Sequence, residues 1–337
     1  MKIAVIGVGR MGRRHLQVAR DLGLELSGVC DQSAESLETA RQEFAIPSER
    51  SFTQPSDLLA HETPECVIVA TTAPTHCDFT CMAAEAGAKY ILCEKPMGVS
   101  LAECDRMISV CKQNDAKLAV NHQMRFMEQY VKAKQFIQNE AFGGLSSVTV
   151  VAGNMGMAMN GTHYFEMFRF MTDESPETVT AWFSNVDVPN PRGPQFHDRA
   201  GAVRLTTASG KRFYMEIGSD QGHGLKVIYA GPNGVMVVDE LSGTIETNIR
   251  EPQYRDLPTT RYGMPSINEM SNFTTADAVG PSRSVLEALL KDQHPPSGED
   301  GRLAIAALVA AYVSNENGNI PIKLNGKLPI ERAFPLA

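Results

Sequence analysis

The sequence is short of aromatic residues, with one tryptophan among 337 residues and 7% Phe, Trp and Tyr together. It has no excess of positive charge either. Its 31 Lys and Arg against 39 Asp and Glu leave a formal charge of −8. That acidity disfavours nonspecific attraction to nucleic acid or to an anionic membrane. No apolar run reaches the ~18 residues that a bilayer-spanning helix needs. The opening Met1-Lys2-Ile3-Ala4-Val5-Ile6-Gly7 has no basic region ahead of a long apolar stretch and no cleavage-like site. It reads as a strand entering a turn, and the chain is expected to be cytoplasmic. Cysteine is lacking beyond residue 111. All seven (Cys30, Cys66, Cys77, Cys81, Cys93, Cys104 and Cys111) precede that point. An odd number without a signal segment or a C-x-x-C pair excludes a disulfide framework. Cys77 and Cys81 lie near His76, but buried thiols acting as small apolar residues are the better reading, and no metal is expected.

What is present is ordinary for a globular protein: 43% hydrophobic and 21% charged residues, which exclude disorder. The length suggests two domains. In the first third, apolar runs at Ile3–Ile6, Leu24–Cys30, Cys66–Ala70, Tyr90–Cys93 and Leu118–Val120, with a weak one near Phe52, alternate with helix-like stretches. Short continuous apolar strands separated by helices predict a parallel sheet covered on both faces. Ser100 and Glu103 form a capping-box pattern before the last helix. Six strand-like units fit a doubly wound Rossmann sheet over residues 1–121.

The first turn reads Gly7-Val8-Gly9-Arg10-Met11-Gly12, a G-x-G-x-x-G between a strand and a helix. Gly7 suits the tight turn, Gly9 the close approach of a pyrophosphate, and Gly12 close helix–strand packing. Arg10 and Met11 are grouped with these glycines as cofactor contacts. Asp31 closes the next strand, 19 residues beyond Gly12, and is placed to accept the adenosine ribose hydroxyls. A carboxylate there would repel a 2′-phosphate, and Gln32 and Ser33 bring no cation, so NAD is favoured over NADP. Arg13 and Arg14 are the cations that could reverse that preference.

Ligands of such sheets sit beyond the carboxyl ends of the strands. There stand Cys93-Glu94-Lys95-Pro96 and Ala70-Thr71-Thr72-Ala73-Pro74-Thr75-His76. Lys95 can donate to a substrate oxygen and stabilise charge developing during hydride transfer. Thr71, Thr72, His76 and Glu94 are candidate cofactor neighbours, His76 being structural or cofactor-lining rather than catalytic.

Together these residues resemble the Gfo/Idh/MocA oxidoreductase family. The resemblance extends through Arg13-Arg14-His15, Thr72-Ala73-Pro74-Thr75-His76, Glu94-Lys95-Pro96, Asn121 with Arg125-Phe126, Gly161-Thr162-His163 and Ser297-Gly298-Glu299-Asp300-Gly301. It implies a pyridine-nucleotide oxidoreductase acting on sugars, amino sugars, uronates, cyclitols or related polyols. It also implies a second domain whose sheet has an oligomer surface, as a homodimer or homotetramer.

Residues 122–337 are accordingly expected to form an α+β domain with a mostly antiparallel open-faced sheet. Val148–Val151, Val179–Phe183, Ala202–Thr207, Arg212–Ile217, Lys226–Tyr229 and Val235–Val238 read as strands, with hairpin turns at Ala208-Ser209-Gly210 and Gly231-Pro232-Asn233-Gly234. Residues 241–296 are polar and turn-rich, with a helix near Ser284–Lys291. Arg302–Ser314 is an apolar helix.

The resemblance implies that His163 exchanges a proton with the substrate hydroxyl as hydride leaves. Imidazole titrates near neutral pH and suits that task. Many members carry an aspartate four residues earlier, where this chain has Met159, so the Lys-Asp-His relay is put in doubt while Lys95 and His163 remain. Glu166 stands where many members have a second aspartate and could anchor the helix or the histidine. Asn121, Arg125, Asn154 and Asn160 join Lys95 and His163 as substrate contacts, although Arg125 could equally fix the domain junction. His197 and His223 are weaker candidates. Met155, Met157, Met159 and Met171 fit either a core or an apolar pocket wall. Two other readings keep the fold. One is an enzyme using NAD transiently without releasing NADH, and the other is a nucleotide-sensing protein without turnover.

Overall fold

The computed structural model describes all residues except 154, 191–192, 259–263, 276–278, 335 and 337, and the side chains of 186–187. The first stretch alternates strand and helix: β1 (Lys2–Ile6), α1 (Arg10–Asp21), β2 (Glu25–Cys30), α2 (Ala34–Phe44), β3 (Ser51–Phe52), α3 (Pro55–His61), β4 (Cys66–Val69), α4 (His76–Glu85), β5 (Tyr90–Cys93), α5 (Leu101–Gln113) and β6 (Lys117–Val120). The strands form a six-stranded sheet in the order β3-β2-β1-β4-β5-β6. Every pairing in it is parallel. All four residues of β4 are buried, as a strand covered on both faces requires. The order reverses between β1 and β4, and a crevice for ligands opens beyond the strand ends at such a switch. All seven cysteines are buried thiols in this part of the chain. Burial pushes Cys66 and Cys111 up to about 12, so they act as apolar packing.

The next stretch contains α6 (Glu128–Ile137), β7 (Ser147–Gly153), α7 (Thr162–Thr172), β8 (Pro176–Val188), β9 (Asp198–Thr207), β10 (Arg212–Gly218), β11 (Lys226–Gly231), β12 (Gly234–Asp239), β13 (Thr244–Arg250) and β14 (Ser266–Asn272). It is followed by α8 (Val279–Lys291), α9 (Gly298–Glu316) and β15 (Ile322–Lys323). A nine-stranded sheet runs β14-β13-β12-β11-β7-β10-β9-β8-β15. Among the described residues only β7 and β10 pair parallel. β7 buries Val148, Val150 and Ala152 in strict alternation. Its buried face lies on the helical side, where Phe165 and Phe168 of α7 stand 6.1 and 5.4 Å from the Phe213 ring of β10. On the opposite face Trp182 and Tyr214 remain exposed.

β13 and β14 fall within the stretch expected to be turn-rich. β14 is an edge strand whose residues are nearly all exposed. It has no buried face, so it shows no apolar alternation in sequence. The chain also divides differently from a single cut at residues 121–122. One compact unit comprises Met1–Gln123, Asp277–Ile305 and Pro329–Ala337, and the other Met124–Ala276 and Ala306–Leu328. Within the first unit α8 packs on α1, β5 and β6. The return is fixed by main-chain bonds, Val120 N to Pro296 O at 2.9 Å and Phe334 N to Val99 O at 2.9 Å.

Candidate dinucleotide and acid/base sites

The glycine turn is built by contact. Gly7 adopts φ +89° and donates to Cys30 O at 2.7 Å; a Cβ there would lie 2.7 Å from main-chain atoms of Ala70 and Thr71. At Gly12 a Cβ would stand 1.8 Å from Gly7 O. At Gly9, by contrast, a Cβ would meet no atom within 4 Å. Gly9 is the N-cap of α1, and no side chain caps that helix or brings acid to its first turn. The leading amides of α1 thus have no side-chain cap, and an uncapped helix N-terminus favours an anion. Arg10 is exposed beside them and Met11 is half-buried. Asp31 accepts from Val8 N at 2.8 Å and from Ser33 N at 2.9 Å, so it also fixes the glycine turn against β2. Arg13 pairs with Glu43 at 3.2 Å, and the Arg14 guanidinium sits 3.2 Å from Met11 Sδ.

At the ends of β4 and β5 the structure joins residues that the sequence reading treated separately. Thr71 Oγ1 is bonded to Thr75 Oγ1 at 2.7 Å, and Thr75 Oγ1 donates to Thr72 O at 3.0 Å. His76, expected as a cofactor neighbour, is fully buried, with Nδ1 2.9 Å from Pro96 O and Nε2 3.2 Å from Thr71 O. Its ring ties the two loops together through their main chain. Glu94 is buried at 3% exposure between His15 Nε2 (2.8 Å) and Asn121 Nδ2 (2.8 Å), and its other oxygen accepts from Lys95 N at 3.2 Å. Burial alone would raise its carboxyl pKa. The hydrogen bonds and charge of His15, with Asn121 and the Lys95 charge, outweigh that and hold it at about 2. Lys95 thus follows a buried carboxylate that fixes its backbone.

Asn121 is fully buried, and its amide also donates to Ser282 Oγ of α8 at 3.1 Å. The amide group proposed to contact substrate is engaged inside this unit. Its Oδ1 is buried and has no hydrogen-bond partner among the described residues. An unsatisfied buried acceptor costs about 1–3 kcal/mol, and a donor such as a carboxamide N–H would relieve it. The open cradle at Gly9 and this orphaned oxygen both fit a nicotinamide dinucleotide. His15 and Ser282 escaped the sequence reading as partners of Glu94 and Asn121; the Arg13-Arg14-His15 triplet was a signal for His15 alone.

In the second unit a π-type turn, Met157–Gly161, leads into α7, whose second residue is His163. His163 is buried at 8% exposure. Met159 and Asn160 are half-buried, and Asn154 lies outside the described residues. Met157 and Met171 belong to the core. Arg125, offered as a substrate contact, donates instead through Nη2 to the buried Glu166 Oε1, and lies 5.2 Å over the Phe170 ring. Arg169 reaches the same Glu166 oxygen at 3.2 Å. Glu166 therefore anchors two arginines. His197 and His223 are exposed, and His223 Nε2 is 3.0 Å from Gln221 Oε1. Asp198, which the sequence reading passed over, is buried at the start of β9 and accepts from Ala158 N and Met159 N.

Comparison with known proteins agrees with this geometry. Residues 1–122 match the model of an oxidoreductase family with an NAD-binding Rossmann fold, GFO_IDH_MocA. Myo-inositol 2-dehydrogenase of Thermotoga maritima is 25% identical over 94% of this chain and 96% of its own length. D-apiose dehydrogenase of Paraburkholderia graminis is 30% identical over 50% of this chain, which spans about half, 49%, of that relative. A crystal structure of an oxidoreductase from Agrobacterium radiobacter with NAD+, L-tartaric acid and magnesium superposes with a TM-score of 0.79, covering 96% of this chain and 98% of the other at 18% identity. The glycine cradle and the buried Glu94 carboxylate beside Lys95 lie within residues 1–122, the part of the chain that matches the NAD-binding Rossmann model of the Gfo/Idh/MocA oxidoreductase family.

Proposed function

We propose that this protein is an NAD-dependent dehydrogenase that oxidises a CH–OH carbon of a sugar or cyclitol, or reduces the corresponding ketone. The observation that carries the reading is the buried His15–Glu94–Asn121 network that fixes Lys95 directly after the Rossmann strand β5. The bound dinucleotide supplies the hydride acceptor. Gly7, Gly9, Arg10, Met11 and Gly12 with the α1 amides hold its pyrophosphate, Asp31 its ribose, and Thr71, Thr72, Glu94 and Asn121 its nicotinamide end. Lys95 donates to the reacting oxygen and stabilises its developing charge. His163 takes the hydroxyl proton as hydride leaves. Asn154 and Asn160 contact the remaining hydroxyls.

NAD is the preferred cofactor. The Asp31 carboxylate opposes a 2′-phosphate, while Arg13 and Arg14 are engaged with Glu43 and Met11. The protein is cytoplasmic, and no helix among the described residues is long and apolar enough to cross a membrane. It is a homodimer or homotetramer through the sheet face that carries Trp182 and Tyr214, which are 49% and 39% exposed.

The test is turnover on a panel of cyclitols, pentoses, amino sugars and uronates, with NAD and with NADP. Released NADH with at least one substrate is expected. Lys95→Ala is expected to lower kcat on the order of a hundredfold while leaving NAD affinity nearly unchanged. Unchanged turnover in that variant would remove the proposed role of Lys95. Bound NAD without released NADH would favour the transient-redox reading.

A further inference from the structure

The resemblance implies an acidic residue where this chain has Met159, yet the turn that contains it does not lack a carboxylate. Asp198, 2% exposed, sends Oδ1 to Ala158 N at 2.7 Å and Oδ2 to Met159 N at 3.0 Å. A buried carboxylate persists only where donors compensate its lost hydration, and two consecutive amides do so here. The partner residue is shaped for this. A Cβ on Gly156 would lie 2.0 Å from Asp198 Oδ2 and 2.1 Å from its Cγ, so the carboxylate occupies the place of a side chain.

The same turn governs the direction of His163. Gly156 O accepts from both Asn160 N (3.0 Å) and Gly161 N (3.2 Å), the second bond being the five-residue closure of a π turn. One residue more in a turn rotates the side chains that follow by ~100° about the helix axis. Ala158, held by Asp198 through its N–H, accepts through its carbonyl from Thr162 Oγ1 at 3.0 Å, and Thr162 precedes His163. These bonds run from strand β9 through Ala158 to Thr162, the residue before His163.

We infer that Asp198 is the positioning residue for His163, a carboxylate delivered from β9 to the amides of Ala158 and Met159 in the turn that leads into α7. The inference rests on the dehydrogenase reading for His163, and one arm of its test does not depend on turnover. The variants are Asp198→Ala, Asp198→Asn and the double variant Asp198→Asn with Met159→Asp. The His163 imidazole is titrated by NMR and assigned by its loss in His163→Gln. In parallel, kcat, KM and the pH profile are measured with myo-inositol and NAD.

Asp198→Ala is expected to move the His163 titration by about half a pH unit or more. It should lower kcat by about tenfold or more while KM for NAD stays unchanged. Asp198→Asn, which keeps one acceptor oxygen, should fall between, and adding Met159→Asp should restore part of the loss. A folded Asp198→Ala protein with an unaltered His163 titration overturns the inference. If Asp198→Ala does not fold, an unaltered titration in Asp198→Asn overturns it instead. Absence of turnover by the parent protein on every substrate counts against the dehydrogenase reading, while the NMR arm still decides the role of Asp198.

Discussion

Glu94 is a carboxylate held almost out of contact with water. A carboxylate at 3% exposure is stable there because His15, Asn121 and the Lys95 amide all donate to it. Glu94→Ala would leave His15 and Asn121 facing a void, and is expected to cost about 3–5 kcal/mol, measured as a fall in urea midpoint. The pH dependence follows from the direction of its pKa. The folded value lies below the ordinary carboxylate range, so the stabilisation is complete above about pH 4.5 and is lost as pH falls through about 2. Asp31 has two functions for one side chain, fixing Val8 N and proposed to select the cofactor. Asp31→Ser is expected to narrow the NAD-over-NADP ratio of kcat/KM and to lower thermal stability, since one shorter hydroxyl replaces the two carboxylate oxygens that Val8 N and Ser33 N bond separately. Glu94, Lys95 and Asn121 were legible as members of a motif. That Asn121 serves an interior network was not, because its partner Ser282 lies 161 residues away in sequence.

At the scale of elements, the apolar runs placed β1, β2, β4, β5 and β6 to within about a residue at each end, since parallel strands covered on both faces must be continuously apolar. The helix starts obey local chemistry. Ser100 Oγ accepts from Glu103 N at 3.1 Å, while the Glu103 carboxylate reaches one residue further back, to Val99 N at 2.8 Å. At α9, Ser297 and Asp300 make the reciprocal pair, Asp300 N to Ser297 Oγ at 3.2 Å and Ser297 N to Asp300 Oδ2 at 3.1 Å. That pair gives a physical reason for the Ser297-Gly298-Glu299-Asp300 motif. For α1 the deciding residue is Gly12. Because its Cβ would strike the Gly7 carbonyl oxygen, Gly12→Ala must push α1 away from β1. It is expected to destabilise by about 2–3 kcal/mol and to weaken NAD binding, which calorimetry with NAD would register. β13 and β14 were illegible for the opposite reason: strands near a solvated edge need no apolar face.

For the molecule as a whole, one half-buried acid in the second unit couples stability to pH. Glu240 accepts from Tyr130 Oη, and burial pushes its carboxyl up to about 7 against the hydrogen bonds of Tyr130 and Gln129. The unfolded chain releases that proton near its ordinary value, so the stabilisation is full below about pH 4.5 and lost as pH rises through about 7. Thermal midpoints are expected to fall between about pH 5 and about pH 8, by an amount worth about 3 kcal/mol at most. Glu240→Gln, which still accepts from Tyr130, should flatten that slope; an equal slope in the variant would assign it to other groups. The sequence alone determined the class of fold and the dinucleotide motif. These are set by periodicity and short-range spacing, which any reader of the chain can count. Tertiary structure alone decided which polar residues serve the interior. It turned Asn121, Arg125 and His76 inward, returned α8 and the C-terminal residues to the first unit, and brought Asp198 to Met159. Burial removes water from every polar group it covers, and the replacement donors come from wherever the fold brings them, at separations that leave no trace in local pattern.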